Sequence, residues 1–408
     1  MKCRHCSGSL EHTFLDLGFA PHSNAYLTQA QLVERESYFP LKLFVCEHCW
    51  LVQTIDYSRS DELFTDNYAY FSSVSKTWLN HAKEYADKIT DRLTLDAASF
   101  VIEVASNDGY LLKNFVQAGI PCLGIEPTDS TATAAEALGV PVLREFFGSV
   151  CATDLAKLNK QADLIAGNNV YAHVPDINDF TQGLKIALKP GGTITLEFPH
   201  LLNLIQLNQF DTVYHEHFSY LSVYTVQAIF QSVGLRVFDV EKLATHGGSV
   251  RVYGCHSEDI RPTCDAVELI INEEQSFGLR NLSTYCNFQS KANTVKNDLL
   301  RFLLQAQLEG KKVCAYGAAA KGNTLLNYAG VRPDLIKFVC DAAASKQDKF
   351  MPGSHIPIVA PTLLKEFQPD YVVILPWNIA PEVIHANSFI RDWQGAFVTA
   401  VPTLSIKR

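Results

Sequence analysis

A chain of 408 residues with 47% apolar and 19% charged side chains is long enough to bury two or three cores and has an ordinary water-soluble composition. Its net charge of -9, without a run of Lys or Arg, speaks against broad nucleic-acid binding, and no apolar stretch has the length of a bilayer span. The opening MKCRHCSGSLEHTF lacks a signal-peptide core, so the cytoplasm is the expected compartment.

Of the eleven cysteines, four fall into two Cys-x-x-Cys pairs, Cys3 with Cys6 and Cys46 with Cys49. Each pair sits on a knuckle that can direct both sulfurs to one metal, so a closed four-thiolate zinc site is expected. The insert between the pairs is longer than in compact zinc ribbons. Unbound buried thiols are the plainer reading, but Cys3-Arg4-His5-Cys6 is poor core material, and disulfides do not suit a reducing compartment. His5 and His48 read as bystanders. With four protein ligands no coordination position stays open, so zinc would fold the first module, on the order of 10 kcal/mol, and do no catalysis.

Asn67 to Lys76 is aromatic and hydroxyl-rich; its Tyr68 and Tyr70 read equally as packed polar tips or as substrate contacts. Behind it the stripe Val74, Trp78, Ala82, Tyr85, Ala86, Ile89 and Leu93 has helical spacing and marks core. Val101 to Leu112, VIEVASNDGYLL, reads as a buried strand carrying Glu103, a turn Ala105-Ser106-Asn107-Asp108-Gly109, and a helix opening at Tyr110 and Leu111. Backbone N–H groups at such a turn can hold a ligand at the strand's carboxyl end. Ala105 and Asn107 stand where a dinucleotide fold needs glycine, which argues against NAD.

This stretch resembles the first motif of the doubly wound S-adenosylmethionine (SAM)-dependent methyltransferases. Cys122 to Pro127 follows as the second strand, ending in Glu126-Pro127 where a carboxylate would grip a ribose hydroxyl pair, and Ala162 to Asn169 as the fourth, tipped by Asn168 and Asn169. The bland alternative is an α/β sheet whose Glu103 and Glu126 are loop-facing charges. Lys189-Pro190-Gly191-Gly192 and Thr193 to Phe198 give a turn and strand familiar from the same class, and Gly234 to Glu241 with Ser249 to Gly254 the closing antiparallel pair.

Asp211 to Tyr220, DTVYHEHFSY, packs two imidazoles and a carboxylate between phenols. Metal binding is one reading, although on a strand His215 and His217 would point one way and Glu216 the other. Acid/base work is a second, and a polar surface loop a third. The last third reads as another α/β unit: strands over Lys312 to Gly317, Leu335 to Val339, Tyr371 to Leu375 and Phe397 to Val401, joined to the middle by a helix over Lys296 to Glu309. Its turn Ala318 to Thr324 would aim Lys321 at a phosphate, with ligand-free packing as the alternative.

Together these segments resemble the nucleotide-sugar C-methyltransferases of deoxysugar biosynthesis and are similar to the tetronitrose-type sugar 3-C-methyltransferase. The likeness covers nearly the whole chain: the knuckles, Asn67 to Lys76, E-V-A-S-N-D-G-Y, Asn168 to His173, Y-H-E-H, Thr245-His246-Gly247-Gly248-Ser249-Val250-Arg251 and the C-terminal half. It implies an α/β protein with a zinc module over 1–66, a central doubly wound SAM-methyltransferase sheet over 67–258 and a Rossmann-like nucleotide-sugar domain over 259–408. His217 would be the base, with Tyr214, Glu216, His173 and Tyr68 supporting the substrate. Tyr70, His246, Arg251, Lys321, Asn323, Trp377 and Asn378 would be further substrate contacts. The expected reaction is methylation of C-3 of a dTDP-4-keto-6-deoxyhexose by a monomer using SAM and a structural zinc ion. A methyltransferase of oxygen or nitrogen in another metabolite is the alternative, and a non-catalytic SAM-binding or zinc-mediated interaction protein the third hypothesis.

Overall fold

The computed structural model describes residues 1–57 and 71–408. Near the N-terminus, β1 (His12–Ala20), β2 (Phe39–Val45) and β3 (Val52–Thr54) form an antiparallel sheet. A bulge between Thr13 and Leu15 lets Phe14 and Leu15 both turn inward. Phe14 stacks on Phe288 at 4.7 Å and meets Tyr285 edge-on at 5.3 Å, so the module's core is continuous with helices from the far half of the chain. Sequence reading does not foresee this sharing: a sheet so small has too few inward side chains to bury a core alone.

The middle of the chain forms a seven-stranded sheet. Its strands β4 (Val101–Val104), β5 (Cys122–Ile125), β6 (Val142–Leu143), β7 (Ala162–Asn168) and β8 (Leu188–Pro199) run parallel in the order β8-β7-β4-β5-β6. Helices cover both faces, which is why the central strands read as unbroken apolar runs. After β9 (Ser219–Tyr220), the pair β10 (Leu235–Leu243) and β11 (Ser249–His256) closes the sheet antiparallel to β8, as expected. Strand β9 instead joins the N-terminal sheet beside β3, so that module takes its fourth strand from the chain directly after Y-H-E-H.

The last sheet, ordered β14-β13-β12-β15-β16-β17, contains β12 (Val313–Tyr316), β13 (Val339–Cys340), β14 (Ile358–Val359), β15 (Tyr371–Ile374), β16 (Ala396–Thr399) and the antiparallel β17 (Ser405–Lys407). Three local expectations need correction. The strand foreseen over Leu335 to Val339 holds only Val339 and Cys340, and the joining helix starts at Phe288 rather than Lys296 because apolar Phe288, Ala292 and Val295 continue its buried stripe. Val74 precedes its helix, Lys76–Leu93, in a short 3-10 turn and is exposed. Among the described residues no helix is long and apolar enough to cross a membrane.

Candidate functional site

A cavity of about 550 Å³ opens at the carboxyl ends of the central strands, between the methyltransferase-like sheet, the His217 turn and the start of the C-terminal sheet. On one side stands the turn after β4. Ala105, Asn107 and Gly109 all have positive φ, at 56°, 49° and 75°, so two side-chain-bearing residues adopt the conformation that glycine takes without strain. The turn is stapled from several directions. Glu126 Oε2 accepts from the Asn107 N–H at 2.9 Å, Asn107 Oδ1 accepts from the Ser72 N–H at 2.9 Å, and Asp108 Oδ2 accepts from the Ser73 N–H at 3.0 Å.

Not every residue expected at this turn reaches the cavity. Ala105, Asn107, Tyr110, Glu126, Pro127, Asn168 and Asn169 line it. Glu103, Ser106, Asp108, Gly109 and Leu111 lie behind it. Glu103 is wholly buried beside Tyr110, and burial, with Asp108 and Glu126 nearby, lifts its carboxyl well above the usual range. Ser106 packs onto β5, where a Cβ on Gly124 would collide with its hydroxyl. Trp78, which the periodicity marks as core, lines the cavity and stands against Tyr110 and His246 at centroid distances of 5.8 and 5.1 Å. Among the described residues no partner reaches the buried Oδ1 atoms of Asn168 and Asn169. Two acceptors lining an apolar cavity suit the ammonium and adenine amine of SAM, so the residues present fit that group.

The opposite wall is the Y-H-E-H segment. It is a turn, not a strand, and its side chains diverge accordingly. His215 faces His22, Phe39 and the Pro40 carbonyl, away from the cavity. Tyr214, Glu216 and His217 line the cavity, together with His173 from the segment after β7. A metal site built on His215 and His217 is thereby excluded. The His217 ring lies 4.0 Å from that of Tyr214 and 4.6 Å from that of His173, centroid to centroid. Its Nδ1 is 2.9 Å from the Thr212 carbonyl oxygen, which can only accept, so Nδ1 carries the proton and Nε2 the lone pair. Burial, then the neighbouring His173, hold the His217 pKa well below 6.5, and burial holds His173 down to about 4. Tyr68 and Tyr70 lie outside the described residues.

The C-terminal sheet contributes Lys321, Lys346 and Asn378 to the third wall. Lys321 donates to Asn378 Oδ1 at 2.7 Å and lies over the Trp377 ring at 4.8 Å. The Trp377 indole N–H donates at 2.7 Å to buried Asp211, whose carboxyl burial pushes up to about 6 against the pull of Lys321. Trp377 therefore holds the lysine from behind and does not line the cavity. Asn323 is likewise spent on the Ser23 carbonyl at 2.5 Å. Arg251 is a further correction: it is 2% exposed, sits 2.5 Å from Glu197 and covers the Tyr85 ring, so it belongs to the sheet's interior. Glu197 also accepts from Thr245 Oγ1 at 2.9 Å, which fixes the loop that brings His246 to the cavity and to Asn169 at 3.1 Å. Lys346, a lone lysine in an unremarkable loop, carries no sequence signal.

The four knuckle cysteines converge as expected. All their sulfurs lie within 4.8 Å of one another, with Cys3–Cys49 and Cys6–Cys46 at 3.5 Å, close to the roughly 3.8 Å edge of a tetrahedral site with zinc–sulfur bonds of about 2.3 Å.

Residues 3–64 match a family model described as a zinc binding domain, residues 78–240 a methyltransferase domain and residues 244–402 a C-methyltransferase C-terminal domain. C-methyltransferase NovU of Streptomyces niveus is 33% identical over 404 residues, 98% of this chain and 95% of that one. The ubiquinone biosynthesis O-methyltransferase of Rhizobium etli (strain CIAT 652) matches only 98 residues at 29%, 23% of this chain and 38% of that one. Among solved structures, the SAM-bound magnesium protoporphyrin IX methyltransferase ChlM of Synechocystis PCC 6803 has 14% identity and a TM-score of 0.34, covering 48% of this chain and 89% of that one. A central methyltransferase sheet between a four-cysteine zinc-binding module and this C-terminal domain, with identity running end to end, makes the chain a SAM-dependent methyltransferase of the C-methyltransferase family.

Proposed function

We propose that the protein methylates carbon next to the ketone of a nucleotide-linked deoxysugar, with C-3 of a dTDP-4-keto-6-deoxyhexose as the expected acceptor, and that it works as a cytoplasmic monomer. One observation carries this reading. A neutral imidazole, its tautomer fixed by the Thr212 carbonyl, lines the same cavity as the turn after β4, and among the described residues it belongs to no cluster of three side chains that could hold a metal ion.

SAM supplies an electrophilic methyl group; the protein has to make an acceptor carbon nucleophilic. His217 Nε2 takes the proton from the carbon beside the ketone, and the electron pair moves onto the carbonyl oxygen. Because the buried imidazole is a weak base, much of the stabilisation must come from donors at that oxygen, a task for Tyr214 or His173. The charge of Lys321, which further lowers the proton affinity of His217, also favours the developing anion. Lys321 and Lys346, at the strand ends of the C-terminal sheet, suit the diphosphate of the nucleotide.

The test is incubation with methyl-labelled SAM and a panel of dTDP-keto-deoxysugars. Label on carbon supports the reading; label on oxygen or nitrogen selects the alternative; a thermal shift with dTDP alone reports on the nucleotide site.

A further inference from the structure

The zinc-binding module sends one segment past its own sheet into the cavity. Leaving β1 at Ala20, the chain runs between the His217 turn and the start of the C-terminal sheet, and it is fastened along its length. Asn323 Nδ2 donates to the Ser23 carbonyl at 2.5 Å, the Tyr26 hydroxyl donates to the Ala318 carbonyl at 2.6 Å, and Leu27 and Phe350 exchange backbone hydrogen bonds of 3.0 and 2.8 Å. Between these anchors Asn24 lines the cavity, and its Nδ2 donates to Glu216 Oε1 at 2.7 Å. A hydrogen bond of that length to a 3% exposed carboxylate fixes the rotamer of Glu216, and the clamps on Ser23 and Tyr26 fix the donor.

We propose that Asn24 is a positioning residue for the acceptor: it aims the Glu216 carboxylate at a hydroxyl of the sugar ring, which makes the zinc-binding module part of the specificity apparatus. This rests on the sugar reading above. A carboxylate held in one direction discriminates between ring epimers, because a hydroxyl of the wrong configuration leaves it buried without that partner.

The experiment compares Asn24→Ala, Asn24→Asp, Glu216→Gln and the Asn24→Ala/Glu216→Gln pair with wild type in the full, zinc-loaded chain. Losing a hydrogen bond to a charged group raises the acceptor KM about tenfold or more in Asn24→Ala, with kcat changed less and SAM affinity by calorimetry unchanged. Asn24→Asp, which sets two carboxylates together, is worse than Asn24→Ala, and the pair is no worse than Glu216→Gln alone. A wild-type acceptor KM in Asn24→Ala, additive losses in the pair, or equal losses of SAM affinity and melting temperature in both Asn24 variants would overturn the assignment. The wild-type control reads the reaction separately. If the acceptor proves not to be a sugar, the hydroxyl assignment fails, and the same ratios on the true acceptor decide whether Asn24 positions Glu216.

Discussion

The two halves of the cavity are built differently. The half proposed for the methyl donor comes from the carboxyl ends of three strands of one parallel sheet, with Ala105, Asn107 and Tyr110 after β4, Glu126 after β5, and Asn168 and Asn169 at the end of β7. The half proposed for the acceptor is assembled from Asn24 of the zinc-binding module, His173, Tyr214, Glu216 and His217 of the middle, and Lys321, Lys346 and Asn378 of the last sheet. A donor common to many enzymes is met by a fold feature; an acceptor peculiar to one is met by tertiary packing of segments hundreds of residues apart. Changes on the acceptor side should therefore alter turnover and acceptor KM while sparing SAM affinity.

The largest such effect is expected from His217→Asn, which keeps the Thr212 hydrogen bond but removes the base. Turnover should fall about 10²- to 10⁴-fold while calorimetry gives wild-type SAM affinity. Next comes Lys321→Met. Removing a charged hydrogen-bond donor should raise the nucleotide-sugar KM roughly ten- to a hundredfold, again without change in SAM binding. A loss of SAM affinity in either variant would mean that the halves are not separable.

Breaking the sheet interior should blur the distinction. Glu197→Gln leaves buried Arg251 with only the longer 3.5 Å contact to Glu241 to offset its charge and slackens the Thr245 contact, for a loss of about 3 kcal/mol in denaturant titration and weaker binding on both sides. Acid should act mainly through the buried histidines. Burial holds His173, His215 and His246 down to about 4 from 6.5, so each binds less proton folded than unfolded between those values. Their contribution is complete above pH 6.5 and lost as pH falls toward 4, which should appear as a melting temperature dropping across that window. The smallest effect concerns the donor turn: Ala105→Gly removes a side chain from a left-handed conformation and should stabilise by about 1 kcal/mol in the same titration.

The same contrast explains what could be read from the sequence. The donor turn, Glu126 and the paired asparagines are legible because each is contiguous with an apolar strand whose period announces it, and the knuckles because two Cys-x-x-Cys pairs have few other uses. Acceptor residues carry no such periodicity. Asn24 and Lys346 sit in loops with ordinary composition, and their partners Glu216 and Ala318 are distant in sequence. The His215–Glu216–His217 run is visible, but strand alternation does not give its directions, because a turn at this point swings His215 outward and brings Glu216 and His217 to one cavity. Arg251 illustrates the opposite case: a charge in a motif reads as a ligand contact, whereas Glu197 on the adjacent strand already neutralises it.

The account turns on proton removal from carbon, and hydrogen exchange tests that step without methyl transfer. In deuterated water, with the dTDP-keto-deoxysugar and no SAM, the wild-type protein should exchange hydrogen for deuterium at the carbon beside the ketone, and His217→Asn should not. Equal exchange by both proteins, or carbon methylation by His217→Asn at the wild-type rate, would contradict it.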